Sequence, residues 1–271
     1  MLRWWQRLRK PAEPPELPAA LWASTLADHP FLARHGASAL PRLQTLTREF
    51  LRDKEFHGAG GLEITDAMAV AIAAQACLPL VGLQGPRQGL AWYADFVGVV
   101  VHPDAVLANR EVVDADGVVH QWQEELSGEA MDQGPVMLSW ADVAQAGPSA
   151  AQGYNVVIHE FVHKLDMCDG AADGCPPLPA GFLGEPTAAR ARRRWLGQME
   201  QSYQDFCDKL SLAERFGGAP VWLDPYAAVA IDEFFAVTSE AYFVNPERFA
   251  RDFAPLVPMF DAWFGALTPA A

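Results

Sequence analysis

The chain has 271 residues, with 34 acidic against 20 basic side chains, a formal net charge of −14 and a hydrophobic content of 51%. So acidic a surface repels phosphate backbones and argues against nucleic acid as a partner, while the apolar content excludes a disordered chain. Four cysteines, none in a CxxC pair, are too few for a disulfide scaffold and read as free thiols in a reducing compartment.

The N-terminal "MLRWWQRLRKPAEPPELP" interleaves basic and apolar residues and then turns proline-rich. A secretory signal would instead place a continuous apolar run after its basic residues. Residues 1–18 therefore read as an amphipathic tail and linker on a cytoplasmic protein, and 19–271 as one domain. Two helices are expected next, one before a turn at His29–Pro30 and one carrying Leu43, Leu46, Phe50 and Leu51 at helical spacing. "HGAGGLEIT" reads as a loop, with Thr65 or Asp66 capping the apolar stretch Ala67–Leu83. Pro79 and Gln75 interrupt that stretch and it is too short to span a bilayer cleanly, so it is expected as a buried helix with no stable membrane insertion.

Residues 90–140 change character. "LAWYADFVGVVVHP" and "GPVMLSW" read as strands, and Asp116–Gly117 between two apolar runs signals a hairpin, so a small sheet or meander is expected. Helical pattern returns after Gly153, a Gly/Pro-rich loop spans about 169–187, and two further helices follow. The basic run Arg190 to Arg194 reads as a solvated helix face. Helices, a small sheet and helices again make an α+β fold.

Within "NVVIHEFVHKLD", His159 and His163 lie four apart, about 40° around a helix, and so point the same way one turn apart. Neutral imidazoles are good zinc ligands. Glu160 beside the first can take a proton from a zinc-activated water, the logic of an HExxH motif. The bland alternative is a core helix whose histidines find ordinary hydrogen bonds. Its apolar surroundings Val156, Val157, Ile158, Phe161 and Val162 imply burial, where polar groups need partners that a metal supplies.

A third ligand is required. No HExxHxxGxxH extension exists, because Asp166 and Asp169 follow instead, and the other histidines fall in early loops or the strand region. "YAAVAIDEFFAVTSEAYF" offers Asp232, Glu233 and Glu240. Glu233, flanked by Ile231, Phe234 and Phe235, sits where burial is expected and is preferred to Asp232. Glu240, one heptad on, is either an acceptor for a ligand histidine or a capping or surface charge. Tyr226, seven residues before Glu233, is expected about 10 Å along the same helix face, as either an oxyanion donor or a structural tyrosine.

"NVVIHEFVHKLDMCDG", "DPYAAVAIDEFFAVTSEAYF" and "NPERF" resemble the Mlc titration factor A family of zinc peptidases, with a weaker match through the middle segment, over about residues 20–265. The Tyr–Glu spacing also resembles the catalytic domain of anthrax lethal factor. The resemblance implies a mainly helical zincin-like domain, its small mixed or antiparallel sheet beside the HExxH helix. Gluzincin-type coordination is implied too: Zn2+ held by His159, His163 and Glu233, with Glu160 as general base and Tyr226 as oxyanion donor. It further implies a cytosolic, aminopeptidase-like metallopeptidase acting on peptide or protein substrates, and binding of an Mlc-like transcriptional repressor. The chain departs from the family at its tail, at the loop bearing Cys168 and Cys175, and at the Arg190–Arg194 run.

The leading expectation is a zinc-dependent peptidase whose substrate lies along an edge strand from residues 90–140. A non-catalytic regulatory protein, sequestering a transcription factor through a fold with a structural zinc, is the alternative. A deformylase-type hydrolase fits poorly, since it needs an upstream cysteine ligand and the only one, Cys77, lies in the apolar helix.

Overall fold

In the computed structural model, residues 16–34, 39–113 and 119–266 are described, with only the backbone considered for 107–113 and 119–126. The tail before Glu16, His35 and the Asp116–Gly117 turn lie outside the described residues, as does the side chain of His120.

The helices are α1 (Ala19–Asp28), α2 (Ala39–Asp53), α3 (Asp66–Cys77), α4 (Trp140–Ala144), α5 (Ala146–Ser149), α6 (Val156–Asp166), α7 (Ala188–Phe216), α8 (Ile231–Val244), α9 (Pro246–Asp252) and α10 (Val257–Phe264). The strands are β1 (Glu55–Gly58), β2 (Gly98–His102), β3 (Val106–Val113), β4 (Val119–Leu126), β5 (Gly128–Ala130) and β6 (Val136–Ser139). Together they make a mainly helical α+β fold. No helix among the described residues is long and apolar enough to cross a membrane.

The sheet is mixed rather than a meander. Its order is β1-β2-β6-β5, with β1, β2 and β6 parallel and β5 antiparallel to β6 at the edge. The parallel β1–β2 pair is joined through α3, a crossover that local turn signals do not reveal. The hairpin signal is matched by β3 and β4, which pair antiparallel from Val106↔Leu126 to Val113↔Val119 as a separate ribbon.

Helix α6 sits between the sheet and α8 and also packs on α3. The Asn155 side chain caps it, accepting from Ile158 N at 2.9 Å. Behind the helix, Phe161 meets Phe50, Tyr93 and Phe96 at ring-centroid distances of 5.5, 5.0 and 5.8 Å. Helix α8 is buried all round from Phe234 to Val244. Its Phe235 and Tyr242 pack on Phe260, and Phe260 stacks on Trp195 of α7.

Three local features refine the expected elements. Thr65, not Asp66, caps α3 by accepting from Met68 N. The basic run on α7 is a solvated face, as expected, with Arg190, Arg193 and Arg194 exposed, and it also carries surface ion pairs: Arg190 and Arg194 bind Glu185, Arg194 also binds Leu183 O, and Arg192 binds Asp173. These contacts tie down the 169–187 loop, which buried Asp166 holds from the other side by accepting from the amides of Asp173 and Gly174 at 3.0 and 2.8 Å. Finally, the helix expected over 223–245 breaks. Residues Pro225–Ala228 form a 3-10 turn, Ala230 is extended, and α8 starts only at Ile231.

Phe161 is wholly buried behind α6, so Phe161→Ala should cost about 3–5 kcal/mol. Urea denaturation of the two proteins measures this, and a loss under about 1 kcal/mol would show that the aromatic cluster does not support the helix.

Candidate metal centre

The sequence places His159, Glu160 and His163 on one helix, and the fold brings Glu233 and Glu240 of α8 against it. His159 Nε2 lies 3.0 Å from Glu233 Oε2, His163 Nε2 lies 3.2 Å from the same oxygen, and the two Nε2 atoms are 3.2 Å apart. Among the described residues these three form the one cluster of His, Cys, Asp or Glu side chains suited to a metal ion. Glu233 is thus brought to the histidine pair, whereas Asp232, its neighbour, only lines the cleft.

Glu240 resolves to the acceptor alternative. It is 1% exposed, and its Oε1 faces His159 Nδ1 at 2.8 Å. Its Oε2 accepts from Asn155 N. Asn155 Nδ2 in turn donates to Gln75 Oε1 at 2.8 Å, and Gln75 Nε2 donates back to Ala71 O within α3. A continuous buried chain of hydrogen bonds thus runs from α3 through the cap of α6 to α8 and His159. Gln75, read in the sequence only as an interruption of an apolar helix, is part of it. The asparagine before the motif was a legible capping signal.

This chain determines what the cluster can hold. Nδ1 of His159 faces a carboxylate, so it carries the proton and donates. In the neutral ring Nε2 is then a lone pair aimed at a carboxylate oxygen and at a second imidazole nitrogen. A proton on His163 Nε2 can satisfy one of these contacts, but the His159 lone pair facing Glu233 stays unpaired. Protonation of His159 relieves part of this: burial lowers its pKa, but Glu233 and Glu240 raise it by more, to well above the usual imidazole value. A divalent cation satisfies all three atoms at once. Tetrahedral zinc bonds of about 2.0–2.2 Å separate ligand atoms by about 3.3–3.6 Å, within a few tenths of the spacing here. Two imidazoles and a carboxylate are a donor set for zinc, so the residues present fit the ion. Burial works against the Glu233 carboxylate, but His159 and His163 outweigh it and hold its pKa well below the usual carboxylate range.

Glu160 is 5% exposed, and burial pushes its carboxyl up to about 7 against the pull of His159 and His163. It packs against edge strand β5, where a Cβ added to Gly128 would stand 2.4 Å from Glu160 Oε1 and 2.6 Å from its Cγ. Only a residue without a side chain allows strand and carboxylate to approach this closely. The sequence offered no more than a lone glycine in "LSGEA" as a hint.

Tyr226 is not on the Glu233 helix, which corrects the expectation of a shared helix face. Asp224 starts the separate 3-10 turn by accepting from Tyr226 N at 2.9 Å, and Tyr203 of α7 holds the turn by donating to Ala228 O at 2.9 Å. The turn folds back over α8, so the Tyr226 hydroxyl donates to Glu233 Oε1 at 3.2 Å. Tyrosine and glutamate meet after all, through the break rather than through helical periodicity. None of the four cysteines lines the site, and all are free. Cys168 hydrogen-bonds to the carbonyls of Trp92 and Lys164.

The cluster opens into a cleft of about 430 Å³ lined by β5 on one side and by Tyr154, Met167, Asp224 and Tyr226 on the other. Glu129, Asp224 and Asp232 add carboxylates to its walls, and no Lys or Arg among the described residues lines it.

Known proteins match along nearly the whole chain. A sequence model of the family described as glucose-regulated metallo-peptidase M90 matches residues 2–264. Similar proteins, each named Mlc titration factor A, include one from Cronobacter sakazakii, 31% identical over 98% of this chain and 92% of the relative. Another, from Salmonella arizonae, is 32% identical over 90% of each chain. A third, from Edwardsiella ictaluri, is 31% identical over 97% of this chain and 93% of the relative.

The contact between strand and carboxylate gives a direct test. Gly128→Ala should leave the fold intact but turn the Glu160 carboxylate away from the cleft, visible in a crystal structure of the variant. An unmoved Glu160 in that structure would contradict the packing described.

Proposed function

The chain belongs to the glucose-regulated metallo-peptidase M90 family, and from that membership and the site geometry we propose that it is a zinc-dependent peptidase of the gluzincin type. The observation that carries the reading is the convergence of two imidazole nitrogens and a carboxylate oxygen within 3.0–3.2 Å, beside a buried Glu160.

In this reading His159, His163 and Glu233 hold the zinc. Bound there, zinc supplies Lewis acidity, which makes water a stronger acid and a peptide carbonyl a better electrophile. Glu160 takes the proton from the attacking water and delivers it to the departing amine. The Tyr226 hydroxyl donates to the oxygen that gains charge as the carbonyl is attacked. Glu240 fixes the His159 tautomer by accepting from Nδ1.

The substrate is an extended peptide laid against the outer edge of β5, which pairs only with β6 among the described strands. The carboxylates Glu129, Asp224 and Asp232 around the cleft suit the free α-ammonium group of a peptide's first residue, which supports aminopeptidase action. The name of the relatives refers to Mlc, which supports a second role in binding a transcriptional regulator of that kind. Four free cysteines fit a reducing compartment, which supports a cytoplasmic location.

Metal analysis of the purified protein, with fluorogenic peptide screens run with and without chelator, tests the reading. Glu160→Gln should keep its zinc while kcat falls about 10²–10⁴-fold. Full turnover by zinc-loaded Glu160→Gln would remove the base from the scheme. Glu240→Gln should weaken zinc binding by about 10–100-fold in chelator competition, and unchanged affinity would contradict its orienting role.

A further inference from the structure

Lys164 is one helical turn beyond Glu160 and shares its face of α6. Its side chain is 0% exposed. The ammonium donates to Asp95 Oδ2 at 2.6 Å, Met131 O at 2.5 Å and Gly134 O at 3.1 Å. All three N–H donors are therefore used. It also lies 4.8 Å from the centre of the Phe96 ring, over which Lys54 sits at 4.0 Å.

Two of those acceptors bracket the tight turn that joins β5 to β6. Within it, Gly134 N donates back to Met131 O at 3.1 Å, and Gln133 takes φ 50°, a left-handed conformation uncommon for a residue with a side chain. Carbonyls directed at one point repel unless a cation gathers them. The third acceptor, Asp95, precedes β2. One buried ammonium thus ties the motif helix to the loop leading into the sheet and to the hairpin carrying the edge strand. Strand β5 is three residues long and pairs with β6 through Gly128↔Leu138, Glu129↔Met137 and Ala130↔Val136. At one end of the strand Glu160 packs on Gly128, and at the other Lys164 grips the turn.

We propose that Lys164 is a positioning residue for extended substrates: it seats the β5–β6 hairpin on α6, so that the strand edge stands where a peptide backbone can pair with it beside Glu160. This rests on the peptidase reading with β5 as the pairing strand. Lys164 acts through the strand and touches no reacting atom. Its loss should therefore penalise long peptides, which use the strand, far more than single aminoacyl amides, which do not.

The test uses the full chain with Lys164→Met, and with Asp95→Asn as a milder variant that keeps an acceptor but removes the charge. Zinc content, hydrogen exchange across residues 127–139, and kcat and KM for fluorescence-quenched octapeptides and for aminoacyl coumarin amides are measured together. Both variants should keep their zinc. Exchange across 127–139 should accelerate by about tenfold or more in Lys164→Met and less in Asp95→Asn, with α8 unchanged. Octapeptide kcat/KM should fall by about tenfold or more, chiefly through KM, while the aminoacyl amides change less than about threefold. Unchanged exchange in the hairpin of a folded, zinc-loaded variant would overturn the proposal, as would an equal loss on both substrate classes. If Lys164→Met does not fold, Asp95→Asn decides by the same two criteria. A wild-type enzyme that cleaves neither substrate class would overturn the peptidase reading and the substrate half with it, while the exchange result still decides whether Lys164 holds the hairpin.

Discussion

Two imidazole nitrogens and a carboxylate oxygen converge to 3.0–3.2 Å of one another inside the fold, an arrangement that positive charge, as a proton or a cation, stabilises. Without that charge the lone pairs of His159 Nε2 and Glu233 would repel. The protein holds the ring in place. Both nitrogens of His159 are engaged from α8, Nε2 by Glu233 and Nδ1 by Glu240, two carboxylates one heptad apart on a single helix. Glu240 is fixed by the amide of Asn155, and Asn155 by Gln75. The ring cannot rotate without breaking a buried network in which each polar atom depends on the next.

The rest of the architecture positions this point. One aromatic cluster backs α6 through Phe161, another backs α8 through Phe235, and the sheet delivers β5 to the open side of the cluster. Two buried charged groups on α6 gather partners from neighbouring loops. Lys164 gathers an acid and two carbonyls, and Asp166 gathers two amides of the following loop. Glu160 is a buried carboxylate facing the cleft, its pKa pushed up to about 7 by burial.

Much of this was legible in the residues. His159 and His163 followed from helical spacing, and Glu233 from the apolar flanks that made an unpaired carboxylate there implausible. The chain misled where long-range pairing or a break in helix geometry decides. Strands β1 and β5 are four and three residues long and carry little alternation. The parallel pairing of β1, β2 and β6 is set by crossovers, not by turns. Tyr226 was expected on the helix of Glu233, but Asp224 and Pro225 start a separate turn that reaches the same glutamate by another route. Gly128 and Lys164 were silent in sequence, because a close approach between strand and carboxylate leaves no periodic signal.

The proposed centre is one cation shared by two helices. An anomalous-difference map collected at the zinc edge from crystals grown with zinc tests it most directly. The expected result is a single strong peak about 2.0–2.2 Å from His159 Nε2, His163 Nε2 and a Glu233 oxygen, with Glu240 still accepting from His159 Nδ1. A peak elsewhere, or Glu233 rotated out of reach of a zinc bound by the histidines alone, would contradict it.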